Sequence, residues 1–356
     1  MKKVILAFTL LFLAVSISAC SGSFAPTSWP GLAADENTAY VAYQNHVYAV
    51  DTSNGSLRWQ YPQEASRSRT FFAAPVLTPN GELLVGDYAS VLVSLNPENG
   101  QENWRFEAAA RFVGSPLSTE NAIYAPTADG ALYALDLQGN PIWDTPFHSD
   151  KALWATPILD GDTLYVGSMD HTLYALNAAD GSLIWKTQLD GALNSAPLLL
   201  NGRLYIGTFA QQVVALDAAN GDILWTVDTD GWVWATPQAL GERLFVGDVS
   251  GTFYAINLQD GSLDWRITPD GAITSNATIA QDTVYFTTES GSLYAVAPDD
   301  GSTRWTYQVQ DAQLYGAPQV SGQSILIAPT AKDNTLLIAL DLQTGTQRWS
   351  FTPEKK

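Results

Sequence analysis

The chain has 356 residues, of which 46% are hydrophobic and only 15% charged, with a formal charge of −19 at pH 7. That length can bury a large core, the low charge content argues against a helical protein, and so acidic a surface repels nucleic acid and anionic head groups. A single cysteine excludes an internal disulfide and argues against redox or thiol chemistry.

Lys2 and Lys3, the apolar run from Val4 to Val15 and the small residues before Cys20 have the order of an export signal. Ile17-Ser18-Ala19-Cys20 resembles a bacterial lipobox, which implies cleavage before Cys20 and lipidation of its thiol. Residues 1–19 are therefore expected to be a signal peptide and 20–27 a lipidated tether. The mature chain would be exported and membrane-anchored, facing the periplasm from an outer membrane or lying outside the cytoplasmic membrane if no outer membrane exists. Its formal charge would be −21.

From residue 28 onward one frame returns: Ala, Gly six residues later and Trp four after that, as in Ala215/Gly221/Trp225. It recurs at Ala49/Gly55/Trp59, Ala175/Gly181/Trp185, Ala255/Gly261/Trp265, Ala295/Gly301/Trp305 and Ala339/Gly345/Trp349. Ser94/Gly100/Trp104 is a variant, and the copy from Ala134 to Trp143 is one residue short. Repetition at about 40 residues predicts a propeller, solenoid or array. The fifth repeat divides into four strands, Ser195–Leu199, Arg203–Gly207, Gln212–Leu216 and Asp222–Val227, here called A to D from inside out. Asn201-Gly202 and Asn220-Gly221 supply the positive φ of tight hairpin turns. Without helical periodicity after the signal, a helical solenoid is excluded. Closing eight small sheets around an axis buries both faces of each, so residues 28–356 are expected to form an all-β, eight-bladed β-propeller of four-stranded antiparallel blades. The repeated Trp is then glue between blades, lying against the small residues of a neighbour.

The frame resembles the tryptophan-docking motif of pyrroloquinoline-quinone-type β-propellers. Together with the lipobox it resembles the BamB family, lipoprotein scaffolds of the outer-membrane β-barrel assembly machine. The resemblance implies a non-catalytic propeller that presents loops from one face to a barrel-forming partner. The family's docking loop carries a Leu-Arg pair shortly before Ser-Ala-Pro, whereas this chain has Leu189-Asp190-Gly191-Ala192-Leu193-Asn194 there and no Arg. Other departures are Asn276-Ala277 where other blades have a Pro and an additional Ala331-Lys332-Asp333-Asn334 in the eighth repeat.

The same motif builds quinone-dependent dehydrogenases, which resemblance associates with a vicinal disulfide and long inserted loops; this chain has one Cys and nearly uniform repeats. A dehydrogenase-like or sugar-binding propeller stands as the alternative. His46 and His171 read as B–C turn residues and His148 as part of the loop into the fourth blade, too sparse a set for zinc. Asp160, Asp170, Asp180, Asp230 and Asp260 read as turn formers. No catalytic, cofactor-binding or metal-ligating residue is assigned, and no cofactor is expected.

Three residues before the strand-A proline stand Phe72, Trp154, Trp234 and Tyr315, in repeats two, four, six and eight. Val113, Asn194 and Thr274 fill the intervening repeats. The four aromatics are expected to circle the channel mouth, with Trp232 and Trp29 extending the ring. They either pack only against neighbouring A strands or form a binding rim. The resulting expectation is an envelope scaffold, monomeric outside a complex, that binds another envelope protein or an extended peptide and no nucleic acid.

Overall fold

The computed structural model describes residues 28–64 and 69–354. The expected signal peptide, Cys20 and the tether lie outside the described residues. Among the described residues there is no helix, and the chain forms eight four-stranded antiparallel sheets spanning 31–61, 76–107, 117–148, 158–188, 198–228, 238–267, 278–308 and 319–351. Each sheet is a sequential A-B-C-D meander, so every blade is one contiguous segment.

Burial follows from that order. In the fifth blade, Leu204–Thr208 of strand B and Val213–Leu216 of strand C are buried, because both faces of the blade meet a neighbour. Strand A, Leu198–Leu200, is half-buried toward the axis, and strand D, Ile223–Asp228, alternates between exposed and half-buried at the perimeter.

The repeat frame has a geometric explanation. Its first residue pairs across the C–D ladder with its own Trp, as in Ala215↔Trp225 and Ala295↔Trp305, and a β-bulge follows at once. The bulge turns the strand so that the indole crosses to the next blade. There it lies on the frame glycine: a Cβ at Gly221 would sit 2.6 Å from the Trp185 ring, and one at Gly100 would sit 2.6 Å from the Trp59 ring. These glycines also need positive φ, +76° at Gly221 and +69° at Gly100, so two independent constraints select the same residue. Carbonyl oxygens of the next blade accept the indole N–H, as from Trp59 to Pro97 at 2.7 Å and from Trp143 to Ala178 at 3.0 Å. Ala218 O accepts both Trp185 Nε1 at 3.2 Å and the Tyr165 hydroxyl at 2.9 Å.

The short third repeat departs in an informative way. Gly139 N bonds Asp136 O, three residues back, where Gly181 N reaches Asn177 O, four back. Trp104, whose ring lies on Gly139 of this tightened turn, has its Nε1 buried without a hydrogen-bond partner among the described residues. Strand D of this blade shrinks to Phe147–His148. His148 therefore belongs to the outer strand of blade three, not to the loop entering blade four. His46 likewise begins strand C of blade one, and the positive φ of that turn falls on Gln44 instead; His171 does occupy a turn position, with φ +71°.

Asn276 and the additional segment of blade eight also find local reasons. Asn276 Oδ1 accepts the backbone N–H of Thr236 at 2.6 Å, tying blade seven to blade six. Thr330–Ala331 pairs with Ala312–Gln313 in a two-stranded ribbon beside the last blade.

Candidate functional site

A cavity of about 1330 Å³ lies among the innermost strands and takes lining residues from all eight blades or the segments leading into them. Phe72, Trp154, Trp234 and Tyr315 all line it, as do Trp29, Trp232, Val113, Asn194 and Thr274. The alternation of large and small residues read from the repeats thus surrounds one space. Phe72 is buried at 7% exposure, whereas Trp154, Trp234 and Tyr315 are half-buried; Trp232 and Trp29 are 47% and 38% exposed.

Packing fixes four of these rings in two groups. Phe209 lies between Trp232 and Trp234, with centroids 5.4 and 5.2 Å away and ring planes within 18° of parallel. On the other side Phe72 meets Trp29 edge-on at 5.2 Å and Tyr88 at 4.8 Å, and the Arg111 guanidinium stands 4.4 Å from the Tyr88 centroid. Trp154 is set by a close backbone crossing, since a Cβ at Gly114 would fall 2.3 Å from the Trp154 carbonyl oxygen.

The loop bearing Trp232 and Trp234 is held by a residue that sequence reasoning missed. Asp248 is fully buried, and its carboxylate accepts the Gly231 N–H at 2.9 Å, the Tyr254 hydroxyl at 2.8 Å and the backbone N–H groups of Ser250 and Thr252. Burial pushes the Tyr254 hydroxyl pKa up, the Asp248 charge reinforcing it, so the tyrosine remains a donor. Asp230, read as a turn former, also pairs with Arg266 at 3.2 Å. The Asp248 signal was available as an Asp at the end of strand B, a position where repeats four and five have Ser168 and Thr208.

The lining is otherwise aliphatic or small and polar, and among the described residues Glu289 is its one charged side chain. Burial raises the Tyr315 pKa, with the Glu289 charge adding to it. Among the described residues, no group of three or more His, Cys, Asp or Glu is arranged to hold a metal ion. In the segment 189–197, Leu189 and Leu193 are buried, and Asn194–Pro197 line the cavity wall.

A BamB from Nitrosomonas eutropha is 32% identical over 130 residues, 36% of this chain and 31% of that protein. The serine/threonine-protein kinase AfsK of Streptomyces griseus is 27% identical over 192 residues, 42% of this chain and 23% of the kinase. The aligned stretches thus span less than a third of these relatives' lengths. The crystal structure of BamB from Moraxella catarrhalis superposes with a TM-score of 0.71 at 16% identity, covering 84% of this chain and 92% of that one, which is a likeness of fold. A family profile described as outer membrane protein assembly factor BamB matches residues 63–152, 133–268, 199–313 and 265–356, which together span most of the sequence. The chain belongs to that family.

Proposed function

We propose that the protein is a non-catalytic, lipid-anchored scaffold of the cell envelope that seats part of another protein at the mouth of its channel. The observation that carries this reading is the set of aromatic residues on alternate blades, three of them half-buried, converging on one cavity. Aromatic side chains with one packed end and one wet end are preferred interface anchors. Family membership supports a place in outer-membrane protein assembly. The lipobox-like Ile17-Ser18-Ala19-Cys20 supports anchoring through Cys20.

The test is capture of partners from solubilised membranes by the wild-type protein and by a Trp154→Ala/Trp234→Ala double variant. Loss of captured proteins per folded molecule, with no more than a modest fall in the folding midpoint, is the expected result. A fallen midpoint with partners retained per folded molecule would assign these rings to the core and move the binding surface elsewhere.

A further inference from the structure

The wall of the axial cavity combines ring faces with one uncompensated charge. Glu289 sits in the B–C turn of blade seven and lines the cavity that Trp234 of blade six and Tyr315 of blade eight also line, while its own blade otherwise offers only Thr274 and Asn276 to the lining. Its backbone N–H is held by Ala272 O at 2.9 Å, which fixes the turn. Among the described residues its carboxylate forms no ion pair, and no Lys, Arg or His lines the cavity. A carboxylate beside aromatic faces, with no cation of its own, is complementary to a cationic guest, because ring faces and carboxylate attract the same charge.

The size of the space and its edges point to a polypeptide guest. A cavity of about 1330 Å³ exceeds the range of roughly 300–1,000 Å³ typical of small-ligand pockets. In every blade the innermost strand is a sheet edge, leaving backbone groups toward the axis for an extended chain to meet. Among basic side chains arginine fits best: its planar guanidinium is weakly hydrated, stacks on ring faces and matches a carboxylate in a fork geometry.

We infer that the cavity admits an extended segment of a partner protein and takes an arginine side chain from it, with the guanidinium against the ring faces and Glu289 as counter-charge. This rests on the scaffold reading and names the chemistry of its guest.

The probe is acetyl-Ala-Ala-Arg-Ala-Ala-amide, compared with its twin carrying citrulline, a neutral near-isostere of arginine. Binding to the purified protein is followed by tryptophan fluorescence at low and at physiological ionic strength. The arginine peptide is expected to bind at one site, at least about tenfold more tightly than the citrulline peptide, with the advantage shrinking in salt. Glu289→Gln should abolish that advantage without changing the thermal midpoint, while Glu98→Gln, in a turn at the perimeter, should preserve it. Equal affinity of the two peptides would overturn the charge inference. If Trp154→Ala/Trp234→Ala then weakened both equally, the aromatic rim would stand without the cation. Failure of both peptides to bind, or equal effects of Glu289→Gln and Glu98→Gln, would also overturn the inference.

Discussion

The indole nitrogen of Trp349 donates to the carbonyl oxygen of Thr52 at 2.9 Å, across 297 residues of chain. This is the inter-blade contact that Trp59, Trp143, Trp185, Trp225 and Trp265 make, used once more to join the last blade to the first. Ser321 Oγ adds a bond to Asp35 O at 2.8 Å, so the ring closes through docking and hydrogen bonds, with no strand exchanged among the described residues.

Closure makes each docked indole part of a common interface. Burying roughly 150–250 Å² of ring contributes about 4–6 kcal/mol gross at 25 cal/mol/Å². Trp225→Ala and Trp349→Ala are each expected to cost about 3–5 kcal/mol and to lower the midpoint of one shared urea transition. Separate transitions for separate blades, or an unchanged midpoint, would contradict the closed ring.

The blades were legible because the information is local and periodic: Gly221 and Trp225 are four residues apart, and each copy repeats the same turn and bulge. What contributors from distant blades assemble was legible only as register. Counting back from the strand-A proline placed Phe72, Trp154, Trp234 and Tyr315 at equivalent sites, which line one cavity. The stack of Phe209 between Trp232 and Trp234 was not legible, because its partners come from a turn of one blade and the lead-in of the next. Glu289 and Asp248 were not singled out from the sequence for the same reason. His148 was misplaced because strand D of blade three is interrupted after Trp143 and resumes pairing only at Leu132↔Phe147 and Ala131↔His148, farther from its Trp than Thr172↔Gln188 is from Trp185, an interruption that the repeat spacing does not reveal.

The one-residue deletion in the third repeat supplies a second prediction. Trp185→Phe removes an indole donor that bonds Ala218 O, whereas Trp104→Phe removes one that has no acceptor among the described residues. Trp104→Phe is therefore expected to be milder than Trp185→Phe by about 1–2 kcal/mol in chemical denaturation. Equal costs would mean that Trp104 finds an acceptor in solution. Insertion of one residue between Gln138 and Gly139, restoring the common turn, is expected to raise the wild-type midpoint.

Two carboxylates predict opposite pH dependences. Hydrogen bonds from Ser53 and then Arg58 hold the Asp51 pKa at about 2, against an ordinary 3.8. The stabilisation from Asp51 is present above 3.8 and lost as pH falls toward 2. Burial raises the Asp87 pKa despite Arg69 at 3.5 Å, so the contribution of Asp87 is full below its unfolded value and lost as pH rises through the folded one. Stability relative to wild type should thus rise with pH for Asp87→Asn and fall with pH for Asp51→Asn, each across its own window. Thermal midpoints of the three proteins from pH 2 upward check the signs; parallel curves would refute both.

Anchoring is tested at Cys20, which lies outside the described residues. Cys20→Ser is expected to release the protein from membranes or to block its processing. Fatty-acid label should enter the wild-type protein only. Because a single acyl chain binds membranes marginally, stable attachment implies more than one chain on the anchor. Equal labelling of wild type and variant, or none of either, would exclude the lipoprotein assignment.

The four aromatics of the channel are not equivalent, and their differences predict which of them can belong to a binding surface. Phe72 is 7% exposed and clamped between Trp29 and Tyr88, so its removal leaves a cavity inside a packed cluster. Phe72→Ala is expected to cost about 3–5 kcal/mol of folding stability. Tyr315 and Trp154 are half-buried, keep part of their surface toward the channel and contribute less to packing on folding. Tyr315→Ala and Trp154→Ala are accordingly expected to cost about 1–2 kcal/mol each, in proportion to the area they already leave in water. Denaturation midpoints of the three single variants decide the matter. If all three fell equally, the ring would be continuous core, and the channel would owe its aromatic wall to blade packing alone. If only Phe72→Ala fell steeply, the remaining rings would be free to hold a partner at little cost to the fold, as a scaffold requires.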